Sequence, residues 1–217
     1  MRNVKGFGLL LILVLSIGLL SANIAAANEF NAEKYPVTLT GSKDGTFQDV
    51  LTTTAGTGKC TTPTYAGTAS ASSTAVALIP TYTGCTYAGF PATATTTGCF
   101  FIFNIGAGST TDGDADFECV GGAEFTLTAV SGGVDKCTFH MKSQTDIGGT
   151  VKYINIGSGA TREITIEANL SGIDYTHTAG TGIGSCTSGN STTGTWIFKT
   201  VVTAESGSHV GYFLTNS

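Results

Sequence analysis

Charge is scarce in this chain of 217 residues: 10 basic and 15 acidic side chains make up 12% of it. So few lysines and arginines exclude a nucleic-acid binder, whose affinity comes from neutralising phosphates, and they disfavour docking on an anionic membrane. Histidine is rarer still. His140, His177 and His209 stand singly, with no H-E-x-x-H or H-x-H pair, so a catalytic zinc lacks its ligand spacing. No G-x-S-x-G elbow marks a hydrolase nucleophile, and no C-x-x-C marks a zinc knuckle or a redox pair. Beyond residue 27 no stretch sustains a helical period, and none is a second apolar run of spanning length.

The one long apolar run lies at the start. Arg2 and Lys5 precede Phe7 to Leu20, and Ala25-Ala26-Ala27 follows. This is the order of a secretory signal peptide, residues 1–27. The run is short for a membrane span, which needs roughly twenty apolar residues, so a retained anchor is the competing reading. Cleavage removes both basic residues and leaves 8 basic against 15 acidic, a net charge of −7 compared with −5 for the whole chain. The remaining part, 28–217, has the length of a single domain. It is expected to be secreted, extracellular or in the cell envelope, with no transmembrane segment once the signal is cleaved.

What is abundant is threonine, with 38 residues, and glycine, with 30. Thr favours strands and Gly favours turns. Short alternating segments recur between Gly-rich turns: Val37–Thr40, Phe47–Thr54, Thr74–Pro80, Phe90–Thr97, Cys99–Ile105, Asp116–Val120, Phe125–Val130, Cys137–Lys142, Val151–Ile156, Arg162–Leu170, Ile173–Thr178, Trp196–Thr203 and Val210–Leu214. Thr54–Ser73 and Ala179–Thr193 read as loops, and Tyr82–Cys85 as a turn. Even spacing of short strands predicts an all-β fold, an antiparallel β-sandwich of Ig-like or jelly-roll-like type.

Six cysteines behind a signal peptide imply an oxidising compartment and a disulfide framework. Strand length prunes the pairings. Phe90–Thr97 separates Cys85 from Cys99 by eight extended residues, roughly 26 Å, whereas bridged Cα atoms lie roughly 4–7 Å apart. The same argument disfavours Cys119–Cys137. Cys99 and Cys119 sit at nearly equal distances from a turn at Gly108–Thr110, which predicts Cys99–Cys119. Elimination then leaves Cys60–Cys85 and Cys137–Cys186.

The opening Phe30-x-Ala32-Glu33-x-Tyr35-Pro36, followed by a short strand, resembles uncharacterised secreted proteins of actinobacteria. Signal peptide, scattered single cysteines and a Tyr/Thr-rich final third extend the resemblance over most of the mature chain. It implies export and a β fold, and supplies no catalytic residue.

Candidate sites are few. Asp112, Asp114 and Asp116 offer hard oxygen ligands on a connection, which makes calcium the one cofactor candidate, although the EF-hand spacing fails at Phe117 and Ala123. The bland alternative is an acidic hairpin tip that blunts a sheet edge. Trp196, Tyr153 and Tyr212 are candidates for a ligand-binding aromatic strip, and a glycan or cell-surface molecule is the partner such a strip implies. Glu163 and Glu167 lie four strand residues apart, roughly 13 Å, too far for the roughly 5–9.5 Å of a glycosidase pair. Asn169 and Asn190 head N-x-S/T acceptor sequences, usable in a host with that machinery. The first functional expectation is a non-enzymatic secreted or surface protein, structural or binding, of which a carbohydrate- or calcium-dependent adhesion module is the sharper form. The second is a hydrolase assembled from loops, which requires a histidine to meet a carboxylate and a nucleophile beside a pocket.

Overall fold

A computed structural model describes residues 28–107, 109, 111–181 and 184–215; the expected signal peptide, and Gly108 and Thr110 of the expected turn, lie outside the described residues. Strands dominate in chain order: β1 (Phe30–Ala32), β2 (Val37–Lys43), β3 (Asp49–Thr53), β4 (Gly56–Ala69), β5 (Ala75–Tyr87), β6 (Phe90–Thr95), β7 (Cys99–Ile105), β8 (Asp112–Cys119), β9 (Phe125–Ser131), β10 (Val134–Met141), β11 (Gln144–Ile156), β12 (Glu163–Ala179), β13 (Gly189–Glu205), β14 (His209–Val210) and β15 (Tyr212–Leu214). A single 3-10 turn, Gly159–Thr161, precedes β12. Among the described residues no helix is long and apolar enough to cross a membrane.

Every strand pairing is antiparallel. The architecture is the expected all-β, sandwich-like one, and its ladder closes on itself. Two long pairs, β4–β5 and β12–β13, form its frame. Around one part of the frame β2 bridges β13 to β4, while β7, β8 and β11 bridge β5 to β12. Around the other, β3 bridges β13 to β4, while β6, β9 and β10 bridge β5 to β12. Each long strand therefore changes its outer neighbour partway along. Apart from the two-residue β14, every strand of this ladder has partners on both sides, so no free edge invites a further strand. The terminal strands β1 and β15 pair separately, and carry Phe30, Tyr212 and Leu214 inward.

Alternation drives this closure. In β13, Trp196, Phe198, Val202 and Ala204 point inward and are buried, while Ile197, Lys199 and Thr203 face out. The core is largely aromatic. Trp196 lies 5.7 Å from Tyr82, 5.3 Å from Phe101 and 5.2 Å from Phe125, centroid to centroid. Rings of this size bury roughly 150–250 Å² each, so a few of them supply most of the driving force.

The segment read as a loop, Thr54–Ser73, is the 14-residue β4 instead. Its threonines are the outward half of an alternation whose inward half is Gly58, Cys60, Pro63 and Tyr65. The turn read at Tyr82–Cys85 lies inside β5, which pairs with β4 in unbroken register through Cys60↔Cys85, Thr62↔Thr83 and Pro63↔Tyr82. There Gly84, at φ 63°, lies against Thr61, and a Cβ on it would come within 2.2 Å of Thr61 Oγ1. Here both strands place two successive residues outward, Thr61-Thr62 and Thr83-Gly84, which keeps Cys60 and Cys85 inward. Likewise β13 begins at Gly189, inside the segment read as a loop to Thr193.

Three disulfides staple the ladder: Cys60–Cys85 between β4 and β5, Cys99–Cys119 between β7 and β8, and Cys137–Cys186 from β10 to the segment after β12. They link the pairs that strand length and elimination selected, and no free cysteine remains.

Candidate functional site

The aromatic strip is not on the surface. Trp196, Tyr153 and Tyr212 are 3%, 1% and 2% exposed. Each occupies an inward position of its strand. Tyr153 meets Phe30 edge-on at 5.0 Å and donates its hydroxyl to the Asn104 carbonyl at 2.8 Å, while Tyr212 stacks on Phe30. The expectation that these three rings bind a ligand is therefore corrected: their planes are spent on the core.

The acidic knot is a strand and not a turn, because β8 starts at Asp112. Asp112, Asp114 and Asp116 project from one outer face at alternate positions of the strand, roughly 6.8 Å apart along it. Asn104 on β7 donates to Asp114 at 2.8 Å and to Asp116 at 3.0 Å, and the Asp146 backbone N–H donates to Asp116 at 2.7 Å. Among the described residues no group of three His, Cys, Asp or Glu side chains is arranged to hold a metal ion.

The histidines divide by face. His209 is exposed in β14. His177 points inward from β12 among Tyr87, Phe139 and Tyr175, and its Nε2 lies 2.5 Å from the Tyr87 hydroxyl, which also meets Thr53 Oγ1 at 2.9 Å. Burial holds this imidazole below its ordinary pKa and lifts Tyr87 to about 12. His140 points outward from the middle of a hydroxyl-covered face. In register across β9, β10 and β12 lie Thr126–His140–Thr176, and beside them Thr128–Thr138–Thr178. His140 Nδ1 lies 2.8 Å from Glu124 Oε1, and its Nε2 lies 3.1 Å from Thr178 Oγ1. A carboxylate only accepts, so Nδ1 carries a proton, and in that tautomer of the uncharged ring Nε2 is the acceptor for the Thr178 O–H. Sequence reading placed His140 correctly on the Thr/Lys side of its strand. Its partners were out of reach, because Thr178 is 38 residues away on a strand that pairs only after closure.

Beside His140 the ladder branches. β12 is paired with β11 as far as Ser171 and with β10 from Thr176. The side chain of Gln144 fills the gap between. Its Nε2 donates to the Asp174 carbonyl and its Oε1 accepts the Asp174 N–H, both at 2.8 Å, so a side-chain amide replaces one rung of backbone. The branch leaves a cleft of about 250 Å³ lined by His140, Lys142, Asp174, Tyr175, Asn190 and Ser191. It continues into a wider groove between Glu118, Asp146 and Asp174. A carboxylate, an ammonium, an amide, an imidazole and hydroxyls thus converge on one small opening.

One further polar cluster is internal. Asp49 on β3, 3% exposed, accepts the Tyr65 hydroxyl at 2.7 Å; its other oxygen and the Tyr82 hydroxyl are both buried without a partner. Burial raises this carboxyl to about 7, against the opposing Tyr65 hydrogen bond and Lys43 charge.

Fold and bridges together define a disulfide-stapled, all-β domain with closed strand pairing. Comparison with protein-family models, with curated proteins and with solved structures found no match for the chain.

Proposed function

We propose that this is a secreted, non-enzymatic binding protein of the cell exterior, whose ligand is a glycan taken up at the branch cleft between β10, β12 and β13. The observation that carries the reading is the lining of that cleft. Asp174, Asn190, Lys142 and Ser191 bring acceptors and donors together in that lining, which is the chemistry that matches the hydroxyls of a sugar ring. The cleft, at about 250 Å³, lies just under the roughly 300–1,000 Å³ of sites for drug-sized ligands. One sugar unit is the occupant that fits, with the rest of the chain lying along the groove. The disulfides and the export signal support an oxidising, extracellular setting, in keeping with the resemblance to secreted actinobacterial proteins. A closed, disulfide-stapled scaffold with a side-chain site suits that setting. The test is calorimetric titration with a panel of soluble polysaccharides, with and without calcium. Binding is expected to weaken tenfold or more in D174N and in N190A, and to be unchanged by chelation. Retention of full affinity in both variants, or no binding to any member of the panel, would overturn the reading.

A further inference from the structure

We propose that Thr178 is a site of covalent acylation, an acyl acceptor activated by His140 and Glu124. Three atoms lie in series on the outer face: Glu124 Oε1 to His140 Nδ1 at 2.8 Å, and His140 Nε2 to Thr178 Oγ1 at 3.1 Å. This is the carboxylate–imidazole–hydroxyl order that activates a weak nucleophile, with the base within reach of the hydroxyl proton and a third group fixing the base. The hydroxyl is accessible, since Thr178 is an exposed position of β12. It is also singular. Among the described residues, other threonine hydroxyls bond to backbone carbonyls, as Thr53, Thr83, Thr200 and Thr203 do, or to other hydroxyls, as Thr128 and Thr138 do. Only Thr178 meets an imidazole.

The packing around the series holds it in place. His140 is fixed from both flanks by the Thr126 and Thr176 positions of the neighbouring strands, and its side chain is 22% exposed against 33% for Glu124. The ring thus has one polar partner per nitrogen and a defined tautomer. Such a ring does more than decorate a wet surface, because the proton on Nδ1 leaves Nε2 free to take another.

The step balances without a further reagent. Thr178 Oγ1 attacks the carbonyl carbon of a small carboxylic ester and a C–O bond forms. Its proton passes to His140 Nε2, and Glu124 stabilises the imidazolium. The ester's own C–O bond breaks, the alkoxide takes the proton from Nε2, and an alcohol leaves. The product is an O-acyl threonine with His140 neutral again. A positioned base contributes about 10²–10⁴-fold to such a transfer. The inference does not rest on glycan binding: His140 lies at the rim of the cleft, but Thr178 and Glu124 are not among the residues that line it.

The probe is p-nitrophenyl acetate, given to the purified disulfide-bonded protein and followed by intact mass and peptide mapping. One acetyl group is expected on Thr178, formed 10²–10⁴-fold more slowly in H140Q, slowed also in E124Q, and absent in T178V. All three changes lie on the outer face, and unchanged melting curves verify the fold. Acetyl found only on lysines, on the amino terminus or on His140 would overturn the proposal, as would Thr178 acetylation that proceeds at the wild-type rate in H140Q.

Discussion

Asp49→Asn separates the cost of one buried charge from the rest of the fold. The carboxyl sits on β3 behind the Cys60–Cys85 staple, in register with Cys60, and burial carries it from an ordinary 3.8 to about 7. A carboxyl whose folded value exceeds its unfolded value binds more protons in the native state, so its stabilising effect is complete below about pH 4 and is lost as pH rises to about 7. About three pH units at 1.36 kcal/mol each amount to roughly 4 kcal/mol, an order-of-magnitude figure for a side chain that is 3% exposed. The protonated carboxyl still accepts from Tyr65 at one oxygen and carries a hydrogen on the other. Asparagine has that donor and acceptor pair at every pH. D49N should therefore match the wild type near pH 4 and exceed it by up to about 4 kcal/mol at pH 8, roughly 8–16 °C in Tm for a domain of this length. The assay is urea unfolding followed by circular dichroism between pH 4 and 8. His177 titrates in the same range with the opposite sign: its imidazole is held below the ordinary 6.5, so its contribution is lost as pH falls. Taking the difference between variant and wild type at each pH removes that contribution, and D49N alone should gain stability with rising pH. A difference that does not change with pH, or a D49N protein weaker than wild type at pH 8, would refute the reasoning.

Two further perturbations test the core and its staples. Trp196→Ala should cost about 3–5 kcal/mol, the range for deleting a buried aromatic side chain, and lower Tm by roughly 6–20 °C; as the chain's sole tryptophan, Trp196 should also emit in the blue and resist iodide quenching, and a red, quenchable emission would put it on the surface. Replacing Cys137 and Cys186 together by alanine opens a loop of 49 residues and should cost about 4 kcal/mol, against about 3 for Cys99 and Cys119 with 20; guanidinium midpoints that reverse this order would count against loop entropy as the source.

Period and strand length made much of the fold legible. In Arg162–Leu170 the inward Ile164, Ile166, Ala168 and Leu170 are all buried, as alternation requires. The Cys99–Cys119 bridge followed from strand length together with the near-equal distances of the two cysteines from the connection between their strands. Where sequence reading went astray, the cause was composition. Thr- and Gly-rich β4 looks like a loop because its inward positions include Gly58, Cys60 and Pro63 in place of large apolar side chains, and their burial comes from Leu127 and Tyr87 closing over Gly58. The aromatics misled for a related reason. Trp196 and Tyr153 suit a sugar platform and a core equally well by type, and only the parity of each strand against its neighbours decides between them. The Glu124–His140–Thr178 series and the branch cleft were not legible at all, because both arise from registers between strands far apart in sequence.

Closure of the ladder also determines where a function can reside. Among the described residues each strand of the main ladder except β14 has a partner on both sides, which disfavours strand addition to that ladder, and with the large rings inside, aromatic stacking is largely withdrawn from the surface. What remains is side chains on the wet faces and the places where a long strand changes neighbours. At those places the backbone loses its partner for a few residues, and something else must satisfy it. On β12 the Gln144 side chain does so at Asp174. On β13, between the β3 and β2 registers, the Asp44 N–H bonds the Lys199 carbonyl at 3.1 Å. Each substitution leaves a depression, one lined by Asp174 and Tyr175 and the other by Phe47, Val50 and Lys199. The two differ in what faces them. The second carries the Lys199–Asp44 ion pair at 3.0 Å in its lining, so its cation is already matched. The first has unlike donors and acceptors around an open centre, with an imidazole at its rim. Branching of the ladder therefore creates these two hollows, and the choice of side chain at the branch decides which of them can hold a ligand.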